Sequence, residues 1–138
     1  MKVFLGGTIT SDWRTYLMPY LDDIGVDYFN PIVEDWTPQC QIEEEWQKLE
    51  ECDVHLYLIS PKMKGLYSIA ETIDSCANGV ITIFAYTVCD GETSFDTAQV
   101  KSLDAIGSMV ESYDQIFVSA LNVPALLTKV KEEITQCL

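Results

Sequence analysis

The residues best suited to chemistry lie in the segment GLYSIAE, residues 65–71, which ends in a glutamate. Ser68 and Glu71 have the S-x-x-E spacing of a capping box, in which the glutamate side chain bonds to the backbone at the start of a helix. A carboxylate in the first turn of a helix also lies near the positive end of the helix dipole, which keeps it ionised, as a nucleophile requires. The spacing alone leaves both interpretations open, a structural cap and a catalytic group.

Two lysines and one glycine pair lie where they could contact a ligand. Lys62 and Lys64 are two of only eight basic residues, and they are either ordinary exposed lysines or contacts to a phosphate. Gly6, Gly7 and Thr8 follow the first apolar run, and glycines let a ligand or a neighbouring loop approach the backbone. This turn is not a GxGxxG motif and lacks the Lys-Ser/Thr of a P-loop, which argues against a redox nucleotide fold or an NTPase.

Three further residues lie near the expected crevice or opposite to it. Asp53 opens the apolar run 53–60, and the amino end of a strand is opposite the usual ligand crevice, which favours a structural role. Trp13 and Arg14 begin the first helix beside the crevice edge. Core packing is the preferred interpretation for Trp13, whereas Arg14 fits either a structural or a ligand-binding role.

The cysteines and the histidine give little support to metal or redox chemistry. The five cysteines are odd in number and form no CxxC pair, so neither a zinc site nor a disulfide framework is indicated. The single histidine, His55, lies in the apolar run VHLYLI and is expected to be a structural strand residue. The sequence therefore predicts neither a metal site nor a cofactor.

Composition and charge narrow the classes of partner. Acidic residues outnumber basic ones 22 to 8, and the net charge of −14 argues against a nucleic acid duplex as partner. No apolar run reaches the roughly 18 residues that a membrane span needs, and the N-terminus lacks the features of a signal peptide. A chain of 138 residues has the usual size of one domain. We therefore expect a cytoplasmic protein with a single domain, residues 1–138, and no membrane contact.

Alternating apolar runs and helical patterns must position these residues. The runs typical of strands cover residues 2–5, 26–29, 53–60, 80–86 and 115–120, and the helical patterns cover 11–25, 41–52, 68–79, 95–112 and 123–138. This alternation predicts an α/β fold with one doubly wound, flavodoxin- or Rossmann-like sheet of five parallel strands and helices on both faces. Ligands bind beyond the carboxyl ends of such strands, which points to the loops 6–12, 30–40, 60–68 and 87–94.

Five short motifs, taken in order, resemble the shorter branch of the nucleoside 2-deoxyribosyltransferases. They are VFLGGTI (3–9), WR (13–14), NP (30–31), EEEW (43–46) and GLYSIAE (65–71). Each motif is short, and the specificity of the resemblance comes from their order and spacing. The resemblance covers about residues 2–85, and residues 87–138 carry no motif that we can assign.

The resemblance implies an enzyme that acts on a nucleoside or nucleotide as its small-molecule partner. Family members cleave the N-glycosidic bond of a 2′-deoxynucleoside and pass the sugar to another base, whereas relatives hydrolyse nucleoside 5′-monophosphates. Glu71 would be the nucleophile that attacks C1′ and forms a glycosyl ester, and Asp53 would assist it. Two inversions at one carboxylate retain the configuration of the sugar. A homo-oligomer whose sites borrow residues from a neighbour is also implied.

The resemblance further implies a substrate-binding set with a glycine floor and a base pocket that includes Trp36. The set consists of Gly6, Gly7, Thr8, Trp13, Asn30, Lys62, Lys64, Gly65, Tyr67 and Ser68. Two departures stand out, because residues 61–64 contain no acid and residues 6–9 contain no tyrosine to orient the glutamate. Tyr67 or another tyrosine could take that second role. The lysines favour a phosphorylated substrate, while the missing acid favours an alternative, a non-catalytic nucleotide-binding or sensing domain.

Overall fold

A five-stranded parallel sheet organises the protein, and the computed structural model describes all residues, 1–138. The seven strands are β1 (Lys2–Gly7), β2 (Asp27–Phe29), β3 (Val54–Ile59), β4 (Ile81–Thr87), β5 (Cys89–Asp90), β6 (Thr93–Ser94) and β7 (Ile116–Ala120). The main sheet has the order β2-β1-β3-β4-β7, and β5 and β6 form a small antiparallel hairpin of their own. The predicted α/β doubly wound fold is confirmed.

The protein has five helices, four of which cover the two faces of the sheet. They are α1 (Trp13–Asp23), α2 (Pro38–Trp46), α3 (Tyr67–Ala77), α4 (Thr97–Ser112) and α5 (Val123–Gln136), and α2 continues into a π-helical turn over Gln47–Glu51. Helices α1 and α5 pack on one face, and α3 and α4 pack on the other. None of these helices combines the length and the apolar character that crossing a membrane requires.

Alternation along the strands divides the core between the two faces. In β1, Val3 and Leu5 are fully buried among the apolar side chains of α1 and α5. Phe4 points to the opposite face, where it packs with Tyr57 and Cys52. The central strands are buried on both faces, which explains why β3 reads as a nearly continuous apolar run.

Helix α2 begins three residues before the expected residue 41, and helix α1 contains a proline. Helix α2 begins at Pro38 because the Thr37 side chain accepts a hydrogen bond from Cys40 N and proline is favoured at the first helical position. Helix α1 runs through Pro19 without a break. Thr15 and Pro19 are both exposed, so the Thr15 carbonyl that loses its helical partner faces water.

The strand order places a crevice at the carboxyl ends of β1 and β3. Strand β1 has β2 on one side and β3 on the other, so the chain leaves the middle of the sheet in opposite directions at this point. Such a topological switch point is where open α/β sheets bind ligands.

Candidate active site

A cleft of about 450 Å³ opens at this switch point, within the size range of small-molecule sites. Its walls come from the loops after β1, β2 and β3 and from the first turns of α3. Three of the four loops expected from the sequence therefore line it. The fourth, residues 87–94, does not.

Glycine is required in the floor of the cleft because β1 and β3 approach closely there. Gly7 has a φ of 114°, and a Cβ at this residue would lie 2.1 Å from the carbonyl oxygen of Leu58. A Cβ at Gly6 would lie 2.7 Å from the Tyr57 ring. Both glycines also line the cleft, so its floor lies where the two strands approach most closely.

Thr8, the next floor residue, is fixed by hydrogen bonds in several directions. Its amide donates to Leu58 O at 2.9 Å, and its hydroxyl accepts from Ser60 N at 3.0 Å. Its carbonyl accepts from Trp13 Nε1 at 3.0 Å and from Arg14 Nη1 at 2.9 Å. The loop after β1 is therefore rigidly held at the site.

Trp13 and Arg14 play different parts in this support. Trp13 is fully buried in the core and does not line the cleft, as its packing interpretation requires. Arg14 donates twice to Leu5 O, at 2.9 and 2.8 Å, and also lines the cleft. Burial lowers the pKa of Arg14 to about 9, with the charge of Glu44 opposing the shift. Arg14 thus supports the loop and presents a cation at the cleft wall.

Glu71 lies in the cleft wall and does not cap its helix. Helix α3 begins at Tyr67, its N-cap is Leu66, and no side chain caps it. The capping-box interpretation of Ser68 and Glu71 is therefore wrong, and Glu71 lies beyond the first turn as the fifth helical residue. The helix dipole fades over that distance and gives it little support.

One oxygen of Glu71 is held and the other is open. Glu71 Oε2 accepts a hydrogen bond from Lys48 Nζ at 2.8 Å, both groups being buried. No protein group donates to Oε1, and no fully buried side-chain oxygen in the molecule lacks a partner. Oε1 is therefore accessible from the cleft that Glu71 lines.

Lys48, which the sequence analysis did not single out, reaches Glu71 from the π-helical turn after α2. Its ammonium group also lies 3.0 Å from Glu45 Oε1 and 5.8 Å from the centre of the Phe4 ring. Burial lowers the pKa of Lys48, but the hydrogen bonds to Glu71 and Glu45 outweigh this and raise it. Burial raises the pKa of Glu71, and the hydrogen bond and charge of Lys48 oppose the rise. The lysine therefore keeps its proton.

Glu44 is the second carboxylate of the cleft and was also missed. It is half-buried, and Glu44 and Glu71 are the only acidic residues among those that line the cleft. Burial raises the pKa of Glu44, and the negative charge of Glu71 raises it further, while Lys48 and Arg14 oppose both effects. A carboxyl group in such surroundings is suited to donating a proton near neutral pH.

His55 belongs to a buried chain of hydrogen bonds beneath Lys48. Its Nε2 lies 2.8 Å from the carbonyl oxygen of Lys48, which can only accept, so Nε2 carries a proton. Burial lowers the pKa of His55, so the ring is neutral and Nδ1 accepts from Ser75 Oγ at 2.9 Å. Ser75 Oγ in turn accepts from Tyr57 Oη at 2.8 Å. His55 is a structural strand residue, as expected.

The predicted substrate-binding residues divide into two groups. Seven of them line the cleft: Gly6, Gly7, Thr8, Lys64, Gly65, Tyr67 and Ser68. Lys62 does not, because its ammonium group lies 3.6 Å from Asp90 Oδ1. Asn30 does not either, since its side chain accepts from Ile32 N at 3.2 Å, but this turn brings Ile32 and Trp36 to the cleft.

Asp53 lies at the opposite edge of the sheet. It precedes the first residue of β3, is exposed, and accepts a hydrogen bond from Lys2 N at 2.9 Å. The cleft opens at the other end of the strand, so the position of Asp53 does not support a part in catalysis. Its place at the start of the apolar run had already favoured a structural role.

The fold and the cleft together define a class of protein, a doubly wound α/β protein with a cleft at its switch point and a buried glutamate in the wall. A sequence model described as nucleoside 2-deoxyribosyltransferase like matches residues 1–89, more than half of the chain. The chain belongs to this family. The match includes every residue that lines the cleft. No similar protein was found among curated proteins.

Proposed function

We propose that the protein cleaves the N-glycosidic bond of a 2′-deoxynucleoside or a nucleoside 5′-monophosphate, with Glu71 as the nucleophile. The single observation that carries this is the state of the Glu71 carboxylate. One oxygen is held by Lys48 and the other is accessible from a cleft of about 450 Å³. Membership of the nucleoside 2-deoxyribosyltransferase-like family supports a glycosyl-transfer reaction at this carboxylate.

Glu44 supplies the proton that the leaving base needs. In the first step Glu71 Oε1 bonds to C1′, the bond from C1′ to the base nitrogen breaks with its electron pair on the base, and Glu44 protonates the base. In the second step water or another base gives a proton to Glu44 and bonds to C1′, and the ester to Glu71 breaks. Two inversions at C1′ retain configuration. Glu44 thus takes the place of the acid missing from residues 61–64.

The substrate enters between a polar floor and an apolar wall. The backbone of Gly6 and Gly7 forms the floor for the sugar in the cleft that Glu71 also lines, and Trp36 with Ile32 forms an apolar wall for the base. Lys64, exposed at the rim, is placed to meet a 5′-phosphate if the substrate carries one. The preference between nucleoside and monophosphate depends on this contact.

We further propose that residues 1–138 act as one cytoplasmic unit and that it forms a homo-oligomer. Strand β7, beyond the family match, pairs with β4 of the same sheet. The apolar side chains of Ile42, Trp46 and Leu49 share one helical face and are 62%, 49% and 63% exposed. A second copy would cover them. Light scattering should show an oligomer that Trp46→Glu dissociates, and a monomeric wild type would contradict the proposal.

The decisive experiment measures release of free base. We would incubate the protein with deoxynucleosides and with their monophosphates, with and without a second base as acceptor, and analyse the products by chromatography. Glu71→Gln should lower the rate by at least about 10³-fold, or about 4 kcal/mol, because no carboxylate remains to attack C1′. Glu111→Gln, an exposed glutamate on α4, is the matched control and should leave the rate unchanged.

The outcomes separate the proposal from its alternative. Base release that survives Glu71→Gln would contradict the role of Glu71. Binding of a nucleotide by the wild type without any release of base would instead support the non-catalytic binding or sensing domain. Circular dichroism of the variant excludes loss of the fold as the cause of a lost rate.

A further inference from the structure

We propose that Lys48 is the positioning residue of the site, whose ammonium group holds Glu71 Oε2 and keeps the carboxylate ionised with Oε1 facing the cleft. This inference rests on the proposed function of Glu71, because it explains how that carboxylate is made ready to attack. Nothing in the sequence motifs assigns a role to Lys48. It comes from the π-helical turn, a rare local structure that often occurs at functional sites.

The Lys48 ammonium group is buried and has partners on several sides. Its side chain is 5% exposed, and its ammonium group has carboxylate oxygens at 2.8 Å from Glu71 and at 3.0 Å from Glu45. The Phe4 ring lies on a further side, with its centre 5.8 Å away. Charge-assisted hydrogen bonds in a place shielded from water are strong and directional, so they fix the Glu71 side chain in one orientation.

Lys48 acts through Glu71 and does not contact substrate. Lys48 is absent from the lining of the cleft, whereas Glu71 and Phe4, its two neighbours on that side, are both part of it. A substrate therefore meets the carboxylate and the ring, with the ammonium group behind them. This arrangement fills the role for which the sequence offered no tyrosine at residues 6–9.

The backbone that carries Lys48 is anchored from below. The Lys48 carbonyl oxygen accepts from His55 Nε2 at 2.8 Å, and His55 is fixed by Ser75, which lies on the same helix as Glu71. The π-helical turn and α3 are therefore linked twice, once through the Lys48 side chain and once through its backbone. This double link sets the distance between the ammonium group and the carboxylate.

Several other charges act on Glu71, and all of them are negative. Glu45 and Asp74 raise its pKa, and the charges of Glu44 and Glu71 repel each other, which raises the pKa of Glu44. Arg14 acts on Glu44 and is engaged with backbone carbonyl oxygens. Lys48 is therefore the cation on which ionisation of Glu71 depends.

The test is a titration of the Glu71 carboxyl group by ¹³C NMR in the full-length protein, with the signal assigned by its loss in Glu71→Gln. In Lys48→Met the pKa of Glu71 should rise by at least about one unit, because an opposite charge in direct contact lowers a carboxyl pKa by one to three units. Lys48→Arg should restore most of the wild-type value. Lys101→Met, an exposed lysine on α4, is the matched control and should leave it unchanged.

Activity gives a second, independent readout. In Lys48→Met the pKa of the acidic limb of the kcat/KM profile should rise by the same amount as the pKa measured by NMR. KM should change much less than kcat. A merely structural lysine would lower activity at every pH without moving the limb. Equal titration of Glu71 in wild type and Lys48→Met would overturn the inference.

Two further arms keep the outcome clear. If Lys48→Met does not fold, the reciprocal measurement decides, since the pKa of the Lys48 ammonium group, followed by ¹⁵N NMR, must fall in Glu71→Gln and an unchanged value would overturn the inference. If the wild type releases no base but the Glu71 titration moves as expected, the proposed function fails while the ionisation of Glu71 by Lys48 stands.

Discussion

Two carboxylates at the carboxyl edge of the sheet, Glu71 and Asp90, are buried to nearly the same extent but have different partners. Glu71 is 8% exposed and Asp90 is 6% exposed. Glu71 accepts one hydrogen bond, from Lys48, and leaves one oxygen open to the cleft. Asp90 accepts from two hydroxyl groups, those of Ser11 at 2.6 Å and of Ser60.

The partners of both groups lower the pKa, but the net shifts have opposite directions. Burial raises the pKa of Glu71, and Lys48 offsets the rise only in part. Burial also raises the pKa of Asp90, but the hydrogen bonds from Ser11 and Ser60 and the charge of Lys62 outweigh it and lower the pKa below its ordinary value. Two hydroxyl groups and a lysine thus stabilise the Asp90 anion, whereas the Glu71 anion accepts a hydrogen bond from Lys48 alone.

The difference separates a carboxylate with a structural role from the one that we propose to react. Asp90 joins the loop after β1, through Ser11, to the end of β3, through Ser60. It lies one residue beyond the family match, so the C-terminal part of the chain fastens loops that belong to the site. Glu71 has fewer such partners, and in the proposed mechanism its open oxygen bonds to C1′.

Glu44, the second carboxylate of the cleft, provides a test of the proposed mechanism. Glu44→Gln removes the proposed proton donor and should lower kcat by about 10²–10⁴-fold for ordinary bases, the usual contribution of general acid catalysis. A deoxynucleoside of a 7-methylpurine, whose base is already cationic, should be cleaved at nearly the wild-type rate. Product chromatography with both substrates measures the ratio.

The neighbouring Glu45 provides the control for Glu44. Glu45 does not line the cleft, so Glu45→Gln should not change the ratio between the two substrates. An equal loss on both substrates in Glu44→Gln would indicate a binding or structural role and would remove Glu44 from the mechanism.

The structural role of Asp90 predicts a loss of stability rather than of chemistry. Asp90→Asn weakens charge-assisted hydrogen bonds and should lower the free energy of unfolding by about 1–3 kcal/mol. Urea denaturation measures this, and Asp23→Asn, an exposed aspartate at the end of α1, should change it by less than about 0.5 kcal/mol. Turnover per folded molecule should stay within about tenfold of wild type. A stable Asp90→Asn variant with no turnover would reverse the assignment of roles.

Acidification should act on the two carboxylates with opposite sign. Because the folded-state pKa of Asp90 is lowered, its stabilisation is complete above the ordinary aspartate value of about 3.9 and is lost as the pH falls through the folded-state value. The pKa of Glu71 is raised, so the folded state takes up that proton first and gains stability relative to the unfolded state.

Denaturation midpoints measured across pH 2–7 check this sign. The stability difference between wild type and Asp90→Asn should shrink as the pH falls below about 4. The difference between wild type and Glu71→Gln should move in the other direction over the acidic range. Parallel curves for the two variants would contradict the contrast between the carboxylates.

The sequence predicted those features that depend on residues close together in the chain. The strands and helices follow from apolar periodicity within each segment, and the crevice follows from their alternation, so the fold and most of the cleft-lining loops could be predicted. Glu71 could be found because it lies in a helix directly after a loop of this crevice. The capping-box interpretation failed because α3 begins one residue earlier than expected and has Leu66 as its N-cap.

The missed features depend on partners that are distant in the chain. Lys48 meets Glu71 across 23 residues and Ser11 meets Asp90 across 79, and neither pair leaves a pattern in the sequence. Lys48 also depends on a π-helical turn, which no periodicity of the segment predicts. Glu44 stands in a run of three glutamates, and only the packing of α2 distinguishes the one that faces the cleft.

Substitutions of the two lysines near the site, Lys62 and Lys64, should have the smallest effects. They compare the cleft with the region around Asp90. Lys64 lines the cleft of the proposed active site, whereas Lys62 lies beside Asp90 in the structural region. Lys64→Ala should raise KM for a monophosphate by up to about fivefold, the value of an exposed ion pair, and leave KM for the nucleoside unchanged. Lys62→Ala should change neither KM and lower stability by less than about 1 kcal/mol. Steady-state kinetics on both substrates, with urea denaturation of both variants, measures these effects.

If Lys62→Ala instead raised KM for the monophosphate, the division between the two carboxylate regions would not hold at the cleft rim. A residue assigned to the structural region would then be binding substrate.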